Sequence, residues 1–179
     1  MTSGLVVFSV SSGLAVFSVS SGLAVLLTFG IGIVAGLRTM TAPAVVAWAA
    51  HLGWIDLSGT HLKFMGSIVV VVLFTLAALG EYVVDTLPGT PARTSGPALT
   101  ARIFMALLAG ACIGVACGGA AWLGAAFAAL GAVTGAFVGY EARKRIVKAL
   151  NVRDVMVAIP EDLLAIGLGL LIVARFATH

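Results

Sequence analysis

Glu81 and Asp85 stand four residues apart in an otherwise apolar run, LFTLAALGEYVVDTLP, so a helix there carries both carboxylates on one face. Two acids on one face repel unless a cation, a proton or an arginine lies between them. The chemistry open to them is cation or proton binding, or an interfacial pairing with Arg38, Arg93 or Arg102. A second acidic pair, Glu161 and Asp162, directly follows Pro160. If Asp154 caps the last helix, Pro160 falls inside that helix and the two acids lie below the lipid headgroups, able to reach the bundle interior beside Glu81. If Pro160 itself starts the helix, they are first-turn residues favoured by the helix dipole.

Two segments, Arg38-Thr39-Met40-Thr41-Ala42-Pro43-Ala44 and Arg93-Thr94-Ser95-Gly96-Pro97-Ala98, share one pattern if a single insertion is allowed. Each reads as a helix start. Thr41 and Ser95 suit the N-cap, and a proline suits the first turn, where no backbone donor is lost. An Arg-Thr pair beside a helix N-terminus also offers an anion free N–H groups, positive dipole and a guanidinium fork. The candidate ligand-binding or coupling residues are therefore Arg38, Thr39, Glu81, Asp85, Arg93, Thr94, Glu161 and Asp162. No nucleophile elbow, P-loop, haem motif or Cys/His zinc pattern is present, so the chain is not read as an enzyme, no cofactor is expected and no metal is assigned. His51, His61 and His179 are scattered in outer segments. Cys112 and Cys117 fall on different helix faces and read as small packing residues.

The elements that must position these residues are membrane helices. The chain of 179 residues is 61% hydrophobic and only 9% charged, with mean hydropathy +1.17. Its apolar blocks have helix length, and backbone in lipid must satisfy itself internally, so the reading is an all-α polytopic bundle of about six transmembrane helices. Residues 1–20 hold most of an imperfect nine-residue repeat (SGLVVFSVS, SGLAVFSVS, SGLAVLLTF) and are expected to lie partly outside the membrane; residues 21–179 form the bundle. The first block, 5–37, is too long for one upright span, so its last part is taken as the membrane segment. The following spans are expected at about 41–54, 64–86, 97–117, 120–141 and 155–176.

Eight of the ten basic residues (Arg38, Arg93, Arg102, Arg143, Lys144, Arg145, Lys148 and Arg153) and six of the seven acids then fall at one end of the bundle. The positive-inside rule makes that end cytoplasmic and puts both termini outside. Arg143, Lys144, Arg145 and Lys148 form a basic helix end suited to anionic lipid, and no nucleic-acid surface is implied. Glycines at 110, 114 and 118 and at 131, 135 and 139 have the small-xxx-small spacing that lets the fourth and fifth spans approach closely. The paired Arg-Thr segments, with Trp54 and Trp122 in the outer turns, further suggest a parallel two-helix repeat.

The stretches GLRTMTAP, GEYVVDTLP and VAIPEDLLAIGLGLL resemble those of an uncharacterised bacterial family of small integral membrane proteins, a domain of unknown function, over about residues 30 to 176. The resemblance implies a multi-span membrane protein, set in the bacterial inner membrane, and no catalytic residues. The leading functional expectation is a small transporter or channel for an ion or small charged metabolite, assembled as a homo-oligomer. The alternative is a non-catalytic accessory subunit or assembly factor of a larger membrane complex. A water-filled cavity reached by Glu81 and Glu161 favours the first, and a flat, lipid-excluded side with exposed small residues favours the second.

Overall fold

The computed structural model describes residues 22–85, 95–151 and 154–177. The first two repeat copies, the connector bearing Arg93 and Thr94, and Arg153 and His179 lie outside the described residues, and with them the expectations placed there.

The chain is an all-helical membrane bundle. Its elements are α1 (Gly22–Leu37), α2 (Thr41–His51), a 3-10 helix (His61–Gly66), α3 (Ile68–Val84), α4 (Gly96–Ala116), α5 (Ala121–Leu150) and α6 (Asp154–Ala174), with no strand among the described residues. Helices α4, α5 and α6 are long and apolar enough to cross a membrane, while α1 and α3 are shorter apolar helices. The expected second span is corrected in kind. At 11 residues, α2 is about 16 Å long, roughly half of a ~30 Å hydrocarbon core. It lies inside the bundle instead, with Thr41 through Ala47 and Ala49 buried against α3, α4 and α6.

Direction alternates from helix to helix. Thr41 meets Tyr82 and Trp48 meets Thr75, so α2 and α3 are antiparallel. Gly110 faces Gly124 and Ala128, and Gly114 faces Ala120 and Gly124, so α4 and α5 are antiparallel as well. The two hairpins run in the same sense but differ in length. Arg38, Asp85, Arg102 and Asp162 thereby gather at one end, as the charge pattern predicts.

The glycines do more than join α4 to α5. Gly110 and Gly114 do seat α4 on α5. Gly131 and Gly135, however, turn to α1, where they meet the carbonyls of Phe29 and Ile33, and α1 answers with Gly32 and Gly36 against Ala128 and Ala132. Small residues on two faces of α5 let two helices approach it where no hydrophobic force drives them together. Gly118 has a different task. Its φ of +71° turns the chain between α4 and α5, and nothing packs on it.

The basic piece expected before the last span is continuous with α5. The helix has 30 residues, about 45 Å, so its final turns outrun the bilayer core. Asn151, at φ 49°, ends it in a left-handed cap. At the opposite end, Ser67 caps α3 through the Val70 N–H, Thr60 caps the 3-10 helix through the Leu62 N–H, and Ile55, Leu57 and Met65 fold the intervening loop onto α2. His51 and His61 are exposed there, as expected, and hydrogen bonds from the Ser58 side chain and N–H hold the Asp56 carboxyl below its ordinary value. Cys112 is buried and Cys117 half-buried; they form no disulfide with each other.

Candidate functional site

The turn between α1 and α2 is the centre of the charged end. The chain leaves α1 at Leu37, passes Arg38 and Thr39, and enters α2 at Thr41. Such a turn exposes the last carbonyls of one helix and the first N–H groups of the next. Both are met by charges from other helices. Glu81, near the end of α3, accepts the backbone N–H groups of Thr39 and Met40, each at 2.8 Å. Arg102, one turn and a half into α4, donates through Nη1 to the Gly36 carbonyl at 2.7 Å. An acid thus sits at the positive end of α2 and a base at the negative end of α1, the arrangement that helix dipoles favour. The two charges lie 3.9 Å apart.

This corrects the expected capping. Met40 is the N-cap of α2, and no side chain from α2's own flank caps it. The Thr41 hydroxyl is hydrogen-bonded to the Tyr82 hydroxyl at 2.8 Å instead. Ser95 does hold the N-cap position of α4, with Pro97 in the first turn, but without a side-chain cap bond. The free N–H groups expected at the Arg38-Thr39 helix start are taken by the protein's own Glu81 carboxylate, while the Arg38 fork turns to other acids.

Arg38 turns inward and is 1% exposed. Its guanidinium pairs with Asp85, the C-cap of α3, and with Asp162 of α6, and its Cζ lies 5.3 Å from the centre of the Tyr82 ring. Asp85 and Asp162 are 16% and 21% exposed. A forked cation between two carboxylates satisfies the requirement that buried charge be paired. It also answers the repulsion expected between Glu81 and Asp85. Each takes a different positive partner, and both point to the α1–α2 turn.

Pro160 lies inside α6, which begins at Asp154, and does not start it. It withdraws the N–H that the Met156 carbonyl would otherwise receive, and Glu161 and Asp162 follow directly. Consecutive helix residues diverge by about 100°, so the two acids part company. Asp162 joins Arg38, and Glu161 turns to α5, where it lies 3.5 Å from Arg143. Glu161 therefore does not join Glu81. Among the predicted residues, the structure brings together Arg38, Thr39, Glu81, Asp85 and Asp162, leaves Glu161 at a neighbouring pairing, and does not describe Arg93 or Thr94.

Two members of the network, Arg102 and Tyr82, were absent from the predicted set as site residues, as was Arg143, the partner of Glu161 beside it. Arg102 had a legible signal. An arginine seven residues beyond Ser95 cannot sit at the helix start, and an arginine inside an apolar helix needs a partner. Among the described residues no group of three or more His, Cys, Asp and Glu side chains is arranged to hold a metal ion.

Beside this network lies a groove of about 550 Å³ between α5 and α6, lined by Ile33, Leu37, Val138, Ile146 and Leu164 and closed at its charged end by Arg143 and Glu161. Glu161 thus borders the groove, while its neighbour Asp162 belongs to the buried network.

The family model described as a domain of unknown function, DUF4126, matches residues 25–175. No curated protein and no solved structure matches the chain.

Proposed function

The chain belongs to that family, and from the charges buried inside it we propose a small, non-enzymatic membrane transporter or channel for an inorganic ion or small charged metabolite. The observation that carries this reading is Arg38, buried between two aspartates of different helices at the α1–α2 turn. An isolated charge inside a membrane helix costs at least ~2.5 kcal/mol, and buried ionisable residues there mark pathways and relays. Here three acids and two arginines from the α1–α2 turn, α3 with its C-cap, α4 and α6 meet around backbone N–H groups held by Glu81. Protonation or cation binding at Glu81, Asp85 or Asp162 would release Arg38 or the α2 N-terminus and so alter how α2 sits among its neighbours. In this reading the charged end faces the cytoplasm of a bacterial inner membrane, the basic end of α5 meets anionic headgroups, and the protein works as a homo-oligomer.

Uptake into proteoliposomes tests it. Wild-type protein should carry at least one ion of a panel above the empty-liposome rate, with dependence on pH or cation. Glu81→Gln should abolish that dependence while thermal stability stays close to wild type. Uptake of every ion at the empty-liposome rate, together with a large loss of stability in Glu81→Gln, would make the network a structural clasp and favour an accessory subunit of a larger complex.

Orientation has its own measurement. A cysteine at position 146 should be labelled only from the cytoplasmic side and one at position 58 only from outside. The reverse pattern would invert the bundle.

A further inference from the structure

We propose that the groove between α5 and α6 is a binding site for an anionic phospholipid, with an acyl chain in the groove and the phosphate on Arg143. The inference rests on the reading that the basic end of α5 lies at the bilayer surface, and is independent of transport.

Helix α6 leans on α1 and α2, where Ile172 meets Gly30 and Gly169 meets Val45, and near the charged end Glu161 approaches Gly139 and Arg143 of α5. The gap this leaves is floored by Ile33 and Leu37 of α1, which are reached because Gly135 and Gly139 bring no side chain of their own into it. Its walls are mostly apolar, and the Thr134 hydroxyl at the far end is turned to the Leu130 carbonyl. Charge enters at one end, where Arg143 and Glu161 lie 3.5 Å apart with side chains 14% and 11% exposed.

Beyond that pair, α5 carries Lys144 and Lys148, both exposed, while Arg145 is engaged by Glu141 at 2.9 Å. The rim therefore holds four basic residues against the two acids Glu141 and Glu161. An apolar slot opening onto lipid, ending in a cationic rim at headgroup depth, matches one occupant in shape and charge. Basic pockets between membrane helices hold anionic headgroups, whose phosphate would join Glu161 as a partner of Arg143. A zwitterionic headgroup would bring its own cation toward Lys144 and Lys148.

The test is thermal unfolding of the purified full chain in detergent with added phosphatidylglycerol, phosphatidylcholine of the same chains, or inorganic phosphate. Phosphatidylglycerol should raise the midpoint by several degrees, increasingly with concentration, as a ligand of the folded state does. Phosphatidylcholine should raise it less, and inorganic phosphate should have no effect. Arg143→Gln should remove the preference for phosphatidylglycerol, and Arg145→Gln should retain it. Should Arg143→Gln fail to fold, Ala142→Phe, which places a ring in the groove from an exposed position, should abolish the phosphatidylglycerol response while leaving the lipid-free midpoint unchanged. Equal responses to both lipids in wild type and variants would reduce the groove to ordinary bilayer contact and overturn the proposal. A response to inorganic phosphate alone would make it a free-anion site and overturn it equally.

Discussion

Replacing Arg38 with methionine should destabilise the bundle by about 3–5 kcal/mol, the cost of leaving partners of a buried ion pair unanswered. Arg38 is 1% exposed, and its loss strands Asp85 and Asp162 at the junction of α1, α3 and α6. Arg38→Lys should fall between the two, because an ammonium keeps the charge but cannot fork to two carboxylates. The informative variant removes the whole set. Combining Arg38→Met with Asp85→Asn and Asp162→Asn should recover most of the loss, since neutral groups of similar shape replace a buried ionic network at little net cost. Unfolding of the purified protein in mixed micelles, followed by helical circular dichroism, measures all three. A triple variant no more stable than the single one would mean that Arg38 acts through packing against Tyr82 and its neighbours rather than through charge.

The second large effect belongs to the glycines. Gly32→Leu or Gly131→Leu should cost about 3 kcal/mol or more, at the upper end of what overpacking a tight core costs. At either position even a methyl would run into backbone, the Ala128 carbonyl for Gly32 and the Phe29 carbonyl for Gly131. Backbone cannot yield as a side-chain tip does, so α1 and α5 must separate. Gly80→Ala and Gly167→Ala provide the contrast. Both glycines are helical with nothing within 4 Å of the added atom, so each change should be neutral or stabilise by about 0.5–1 kcal/mol through helix propensity. Equal effects at all four positions, read in the same unfolding experiment, would contradict the packing described.

The contrast between the two kinds of glycine shows what was legible in the sequence. Spacing alone announces that Gly131 and Gly135 serve close packing, because small residues four apart share one helix face. It does not name the partner. That choice fell to α1, whose Gly32 and Gly36 supply a matching face, and the match is visible only once both helices are in place. The charged end behaved likewise. Alternating apolar blocks were enough to bring Arg38, Glu81, Asp85 and Asp162 to one end of the bundle. The pairings within that end were not legible, because they depend on where each helix stops. Arg38 reaches Asp85 and Asp162, while Glu81 is taken by two backbone N–H groups that no residue pattern displays. The adjacent acids of α6 were expected to act together. A helix separates neighbours by nearly a third of a turn, and that rotation sent Glu161 to α5.

The shortness of α2 and α3 bears on the lipid around them. Helix α3 has 17 residues, about 25 Å, and presents Val69, Leu73, Leu76 and Val83 outward. A hydrocarbon core of about 30 Å overhangs such a helix, whereas the 30-residue α5 overshoots it. Lipid meeting α3 directly would thin toward it, at a cost of fractions of a kcal/mol for each ångström of mismatch. The mismatch is therefore a property of the lipid around α3, carried by its 17-residue length and needing no bond between proteins.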